Sequence, residues 1–303
     1  MAEPAGSESH RNPPHGGFNP QEFSEHIREE WDAVAEEWGQ EGWSELVERS
    51  AGGVSERLLD MANVGPGDRV VDLGTGVGEP AARAARRVGE SGKVVGIDLA
   101  PQMIAAGRRR MRRLGLDGIV SLQVGNAGDP KLPAGSFDAA VSRWVLMLVP
   151  DLGGALQRIR PLLVPGGRLA VGLWGHPAQV PMISLALGVA SEMVDMPPPP
   201  PDAPTHLWTS GADGFATLLD QAGYEDVEAR PTTTAFRMPS PEAYAEFIVT
   251  MAGPLRLAAR SMTSAGRGAL SAALADAARD FAGTSGPFTL VNETLCMSGR
   301  RPG

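Results

Sequence analysis

The sequence predicts an α/β protein built on a doubly wound, mostly parallel seven-stranded sheet with helices on both faces. Three observations carry that prediction. Short apolar runs alternate with helical stretches between residues 69 and 173, the pattern of successive βαβ units. The first run, Val70-Val71-Asp72-Leu73, passes straight into Gly74-Thr75-Gly76-Val77-Gly78. A carboxylate, Asp98, stands 20 residues beyond Gly78, at the end of the next run.

Taken in order, residues 1–20 lack periodicity and carry Pro13, Pro14, Gly16, Gly17 and Pro20, so a flexible arm is expected, with His10 and His15 idle in it. Phe23, Ile27, Trp31, Val34, Ala35 and Trp38 recur at steps of three and four, and Val54, Leu58, Leu59 and Met61 give a second helical pattern, so 21–64 reads as N-terminal helices. Gly65-Pro66-Gly67 ends them. Strands are expected over 69–73, 93–97, 120–124, 139–147 and 168–173, with helices over 79–88, 101–114 and 151–162. Pro197 to Pro201, with Pro204 nearby, form a stiff segment that reads as a loop bordering a pocket, with a proline-binding partner as the alternative. Phe215, Leu218, Leu219 and Ala222 mark a helix closed by Gly223; a strand is expected over 227–236, helices from Ser240-Pro241 to 282, and a last strand over 288–297. The expected organisation is one domain, 21–303, with a core at 68–175 and a helical lid, 180–282, inserted before the last strand.

Composition narrows the function. With 303 residues, 42% of them apolar, the chain can bury a proper core. No run of 18 apolar residues exists and the N-terminal stretch lacks the apolar centre of a signal peptide, so a cytoplasmic protein without membrane spans is expected. The single cysteine, Cys296, excludes an internal disulfide and a Cys-cluster metal site. A net charge of −9 argues against nucleic acid as the main partner. Arg108, Arg109, Arg110, Arg112 and Arg113 stand against that balance, but Met103, Ile104, Gly107, Met111 and Leu114 recur around them at helical spacing, which reads as a solvated helix face.

The chemistry is written around the glycines. Three alternate glycines after a strand let the backbone bend sharply and touch a ligand at the carboxyl edge of the sheet, and Asp98 can accept from both hydroxyls of a ribose. A diphosphate is disfavoured, because Glu79 stands where the dinucleotide fingerprint needs its third glycine. Asp72 before the glycines suits a ligand with a cationic amino group.

The segment Asp72 to Gly78 resembles the first motif of class I S-adenosylmethionine-dependent methyltransferases. Gly96 to Met103 resembles their ribose-binding motif. Val124-Gly125-Asn126-Ala127, followed by Leu132 to Asp138, is similar to the adenine loop and the entry to strand 4, and Leu162 to Arg168 to the turn before strand 5. The wording is most similar to the ubiquinone/menaquinone-biosynthesis type of small-molecule methyltransferase, including Trp31-x-x-Val34-Ala35-x-x-Trp38. Departures are Trp38-Gly39 where the family usually has Tyr-Asp, and Asn126 where it usually has an acid.

The resemblance implies a Rossmann-like fold with S-adenosylmethionine as cofactor. Gly74, Thr75, Gly76 and Gly78 would wrap its methionine end, Asp72 would hold the amino group directly or through water, and Asp98 the ribose. Leu99 and Met103 would complete the nucleoside site, Asn126 and Ala127 would meet the adenine, and Trp38 would cover the cofactor. Arg143, Trp144 and Met147, at and beyond the end of strand 4, would face the methyl group and the acceptor.

Transfer from a sulfonium is an in-line displacement that needs alignment first and no metal. An ionised carboxylate or acidic enol needs only positioning, whereas a phenol benefits from a base. His176, following strand 5, is the best-placed candidate base, and His206, in the proline-rich loop, is a candidate to reach the acceptor; the alternative for each is a surface or structural histidine. The function expected is O- or C-methylation of a small, bulky apolar or aromatic acceptor in quinone, antibiotic or other specialised-metabolite biosynthesis, with a homodimer left open. The alternatives are a relative that catalyses a non-methylating step such as cyclisation, and a non-catalytic binding subunit.

Overall fold

The computed structural model describes residues 18–40, 42–193 and 203–303. Most of the expected arm and the run Pro197 to Pro201 lie outside the described residues. Helix α1 (Pro20–Gly39) starts where the Asn19 side chain accepts from the amides of Gln21 and Glu22, with Pro20 as the first helical residue. Helix α2 (Trp43–Met61) begins well before the expected 54–61 stretch, because its first half also buries Val47 and Ala51 in the core.

Seven strands form one sheet: β1 (Arg69–Leu73), β2 (Lys93–Asp98), β3 (Val120–Val124), β4 (Phe137–Arg143), β5 (Leu163–Trp174), β6 (Glu225–Met238) and β7 (Phe288–Arg300). Their order is β3-β2-β1-β4-β5-β7-β6. Pairing is parallel from β3 through β5, and β7 runs antiparallel to both β5 and β6. Helices α3 (Glu79–Val88), α4 (Pro101–Arg113) and α5 (Leu152–Ile159) make the crossovers. Central β1 is buried on both faces: Val70 packs with Ala81, Ala85 and Val88 of α3, while Val71 and Leu73 pack with Leu146, Leu156 and Ile159 on the other side.

Two expectations need correction. Strand β4 stops at Arg143 instead of continuing to 147, because Trp144 takes φ +61° and turns the chain into a short 3₁₀ segment, Leu146–Leu148. The stretch 180–282 is not one helical insertion. Helices α6 (Pro181–Met193) and α7 (Gly211–Gln221) precede edge strand β6, and only α8 (Pro241–Met251), α9 (Gly253–Ser261) and α10 (Ser264–Ala282) separate the last two strands. The helices are tied to each other and to the sheet: Tyr244 of α8 donates to the Met182 carbonyl at 2.9 Å, and Asn292 of β7 accepts from the Met182 amide at 2.9 Å.

The arginine-rich helix α4 is more than a solvated face. Arg108 donates twice to the Leu122 carbonyl of β3, Arg113 donates to the Gly39 carbonyl at the end of α1, and Arg110 pairs with Glu48 of α2. Arg109 and Arg112 remain exposed. Among the described residues, no helix is long and apolar enough to cross a membrane.

Candidate functional site

Strand order reverses between β1 and β4, and a crevice opens there beyond the carboxyl ends of the strands. The glycine turn is fastened to β2, since the amides of Gly74 and Thr75 both donate to the Ile97 carbonyl at 2.8 Å. At Gly74 φ is +77°, and a Cβ would lie 2.4 Å from the Val145 side chain, so the close approach of β4's exit requires glycine. At Gly76 φ is +54°, yet a Cβ there would meet nothing within 4 Å. Its missing side chain leaves open space on the cleft wall. Gly78 differs from expectation: it faces Met111 and Leu122 rather than the cleft, because α3 must start close against α4 and β3.

The two carboxylates of the motifs hold different positions. Asp98 lines the cleft and accepts from the Gly76 amide at 2.8 Å and the Ala100 amide at 2.9 Å, one oxygen to each. Burial pushes its carboxyl up, and those amides pull it back only in part. Each oxygen retains lone-pair capacity toward the cleft, as a ribose diol needs. Asp72 is fully buried beneath the glycine turn and does not reach the cleft surface. Its Oδ2 accepts from Thr75 Oγ1 at 2.7 Å while Oδ1 has no partner, and burial pushes its carboxyl up to about 7. A buried acid with one orphaned oxygen suits a nearby cation. The donors and spaces present therefore fit S-adenosylmethionine, whose nucleoside carries a diol and whose tail carries an ammonium. Thr75, Leu99, Met103, Asn126 and Ala127 line the same part of the cleft. The Asn126 Oδ1 is taken by the Gly128 amide at 2.8 Å, which leaves its Nδ2 to donate.

Arg143 also lines the cleft but is not free. Its Nη1 donates to Ser55 Oγ at 2.6 Å and pairs with Glu79, both ionic side chains being nearly buried. Burial pushes the Glu79 carboxyl up, but Arg143, Arg83 and Ser55 outweigh that and hold it below the ordinary carboxylate value. Glu79, read from the sequence only as an obstacle to a diphosphate, is thus the counter-ion of Arg143. The Arg143 guanidinium in turn sits 4.9 Å from the centre of the Trp144 ring. Trp144 stacks on Trp174, and its Nε1 donates to Thr294 Oγ1 at 3.2 Å.

Beyond Trp144 and Met147 the cleft becomes apolar, walled by Trp174, Met182, Phe236, Phe247 and Ile248. The whole cleft, its glycine-turn end included, has a volume of about 290 Å³. Trp38 lines it and donates through Nε1 to the Met251 carbonyl at 3.0 Å, so α1 closes on α8. The two histidines exchange their expected prominence. His176 is exposed and does not line the cleft; its Nδ1 accepts from the Ala178 amide at 3.3 Å and caps the turn Pro177–Gln179. His206 does line it, because the Trp208 amide donates to the Trp174 carbonyl at 2.8 Å and folds that segment over the end of β5. Its Nε2 is shut from solvent without a partner, and burial alone pushes the imidazole down to about 4. Sequence reasoning missed the wall from Phe236, Phe247 and residues 252–255; aromatic residues in strand β6 and helix α8 were the available signal.

Comparison with known proteins agrees with this geometry. A family model described as a methyltransferase domain matches residues 65–193. Nocamycin O-methyltransferase of Saccharothrix syringae is 34% identical over 259 residues, covering 82% of this chain and 90% of that protein. Aklanonic acid methyltransferase DauC of Streptomyces sp. (strain C5) is 41% identical over 117 residues, covering 39% of this chain and 53% of that protein. Among solved structures, the [4+2]-cyclase SpnF superposes with a TM-score of 0.55 at 18% identity, covering 84% of this chain and 82% of that one, a likeness of fold alone. From the glycine turn, the carboxylates beneath and beside it, and a relative matched over nearly its whole length, this chain belongs to the S-adenosylmethionine-dependent methyltransferases.

Proposed function

We propose that this protein methylates an oxygen of a bulky apolar or aromatic small molecule, of polyketide or quinone type, in specialised metabolism. The observation that carries the reading is the continuity of the cleft, which passes from Gly76 and Asp98 directly into a chamber walled by Trp144, Trp174, Phe236 and Phe247. The names of the relatives that methylate nocamycin, at oxygen, and aklanonic acid support it.

The bound cofactor supplies a methyl group on cationic sulfur, already activated for displacement. The chain's part is to bind, align and exclude water. Gly74, Thr75 and Gly76 would hold the methionine end, with Asp72 beneath the turn as the acid that answers its ammonium directly or through water; Asp98 would hold the ribose hydroxyls. Leu99 and Met103 would complete the nucleoside site, Asn126 and Ala127 would meet the adenine, and Trp38 would cover the cofactor. Arg143 keeps Trp144 in place, and Trp144 with Met147 sets the acceptor against the methyl carbon.

The test is incubation with methyl-labelled cofactor and a panel of aromatic polyketides, naphthoquinols and their acids. Label in the isolated product supports the reading. A product lacking label, from a protein that binds the cofactor, would replace it with a non-methylating reaction.

A further inference from the structure

His206 lines the chamber, and its Nε2, which the chamber does not expose in the free protein, is buried without a hydrogen-bond partner. A buried polar atom without a hydrogen bond is destabilising, so a ligand that supplies the missing partner recovers that cost on binding. The other ionisable groups on the described cleft wall are engaged. Glu79 and Arg143 hold each other, and Asp98 is bound to the amides of Gly76 and Ala100 at the cofactor end. No unpaired cation among the described lining residues faces the apolar half.

An acidic acceptor therefore meets a problem that positioning alone does not solve. A carboxylate or enolate entering an apolar chamber loses its hydration, and an unpaired buried anion is strongly disfavoured. The cationic sulfur of the bound cofactor offsets that charge at the methyl carbon alone; with the neutral demethylated cofactor in place the anion must arrive with a proton. Because burial keeps the His206 imidazole neutral in the free protein, that ring can take up the proton that balances the anion.

We infer that His206 is the acceptor-recognition residue and binds an acidic oxygen, carboxylic or enolic, by sharing one proton between that oxygen and Nε2. The inference rests on the methyltransferase reading and adds to it the acceptor's chemical class and the residue that selects it. Binding turns the ring so that Nε2 faces the chamber. During transfer the acceptor oxygen forms its bond to the methyl carbon as the carbon–sulfur bond breaks, and the bonding electron pair stays on sulfur. The shared proton remains on Nε2, and it returns to solvent when the neutral methylated product leaves. One proton is thus taken up on binding and released at the end, and no oxidant or further reactant is needed.

The probes are 1-naphthoic acid and 4-hydroxycoumarin, a carboxylic acid and an acidic enol, both ionised at neutral pH. Each is titrated by calorimetry into the full-length protein saturated with S-adenosylhomocysteine at pH 7, in buffers of different ionisation enthalpy. The expected result is uptake of close to one proton with at least one probe. In His206→Asn, that uptake disappears and the affinity falls about tenfold or more. Nitrogen-15 NMR of the wild-type histidines supplies a readout that needs no variant, with the His206 ring passing from neutral to imidazolium on probe binding. Uptake below a few tenths of a proton, uptake that persists in His206→Asn, a ring that stays neutral, or binding of neither probe overturns the inference. Loss of S-adenosylhomocysteine binding would instead strike the methyltransferase reading, so the two failures are distinct.

Discussion

The indole of Trp144 lies on that of Trp174, ring centroids 3.9 Å apart and planes 12° from parallel. This stack holds a residue whose backbone is in the left-handed region, φ +61°, where a non-glycine residue pays about 1–2 kcal/mol. Replacement should therefore reverse the usual order: Trp144→Gly melts at or above Trp144→Ala, although glycine normally costs about 0.5–1 kcal/mol against alanine. Thermal unfolding of the two variants checks this. Both should keep cofactor affinity while losing most turnover of the acceptor.

Gly76 and Gly74 separate the requirements of ligand and fold. Gly76→Ala adds a methyl group into open space, so the protein stays folded at a cost of about 1–2 kcal/mol for its φ. The affinity for S-adenosylhomocysteine should fall about tenfold or more. Gly74→Ala drives the same methyl into Val145 and should lose several times more stability. Equal melting temperatures for the two variants would contradict this division.

The Glu79–Arg143 pair is nearly buried; removing Glu79 strands Arg143, whereas removing Arg143 leaves Glu79 its pairing with Arg83. Glu79→Gln should destabilise by about 3–5 kcal/mol in denaturant unfolding, and Arg143→Met added to it should restore a large part of the loss. A double variant no more stable than Glu79→Gln would mean that the stranded arginine is not the source of the loss.

Glu30 on α1 is buried with Oε2 unpartnered, its other oxygen 3.1 Å from His26 Nε2, and burial pushes its carboxyl up to about 7 from 4.5. The folded protein therefore holds this proton more tightly than the unfolded chain. Between about pH 4.5 and 7 the unfolded state carries fewer protons, and stability falls as pH rises, by about 2–3 kcal/mol across the window. Glu30→Gln should flatten that fall and raise the melting temperature at pH 8. A variant with the wild-type slope would refute the assignment.

How much of this was legible depends on the kind of information each residue carries. The glycine turn could be read because positive φ and close approach select glycine locally, and Asp98 because it ends a strand at a fixed distance from that turn. The helix bearing Trp31 and Trp38 followed from periodicity. The histidines could not be ranked from sequence. His176 follows β5 directly, but its ring caps the next turn, whereas His206 reaches the cleft only through the hydrogen bond from Trp208 to Trp174, between residues 34 positions apart. Arg143 looked available because nothing in its neighbourhood of the chain announces Ser55 or Glu79. The chamber wall from β6, α8 and α9 is likewise a product of tertiary packing, which no local pattern encodes.

The closure of α1 on the far end of the chain bears on any attempt to transplant acceptor preference between relatives. Trp38 reaches the Met251 carbonyl, Glu37 pairs with Arg256, and a Cβ on Gly253 would come within 2.8 Å of the Glu30 backbone oxygen. A chimera that exchanged only residues 241–261 would bring a foreign helix against a native one fitted to glycine at that spot. The exchangeable module is therefore discontinuous, and residues 20–39 have to travel with it.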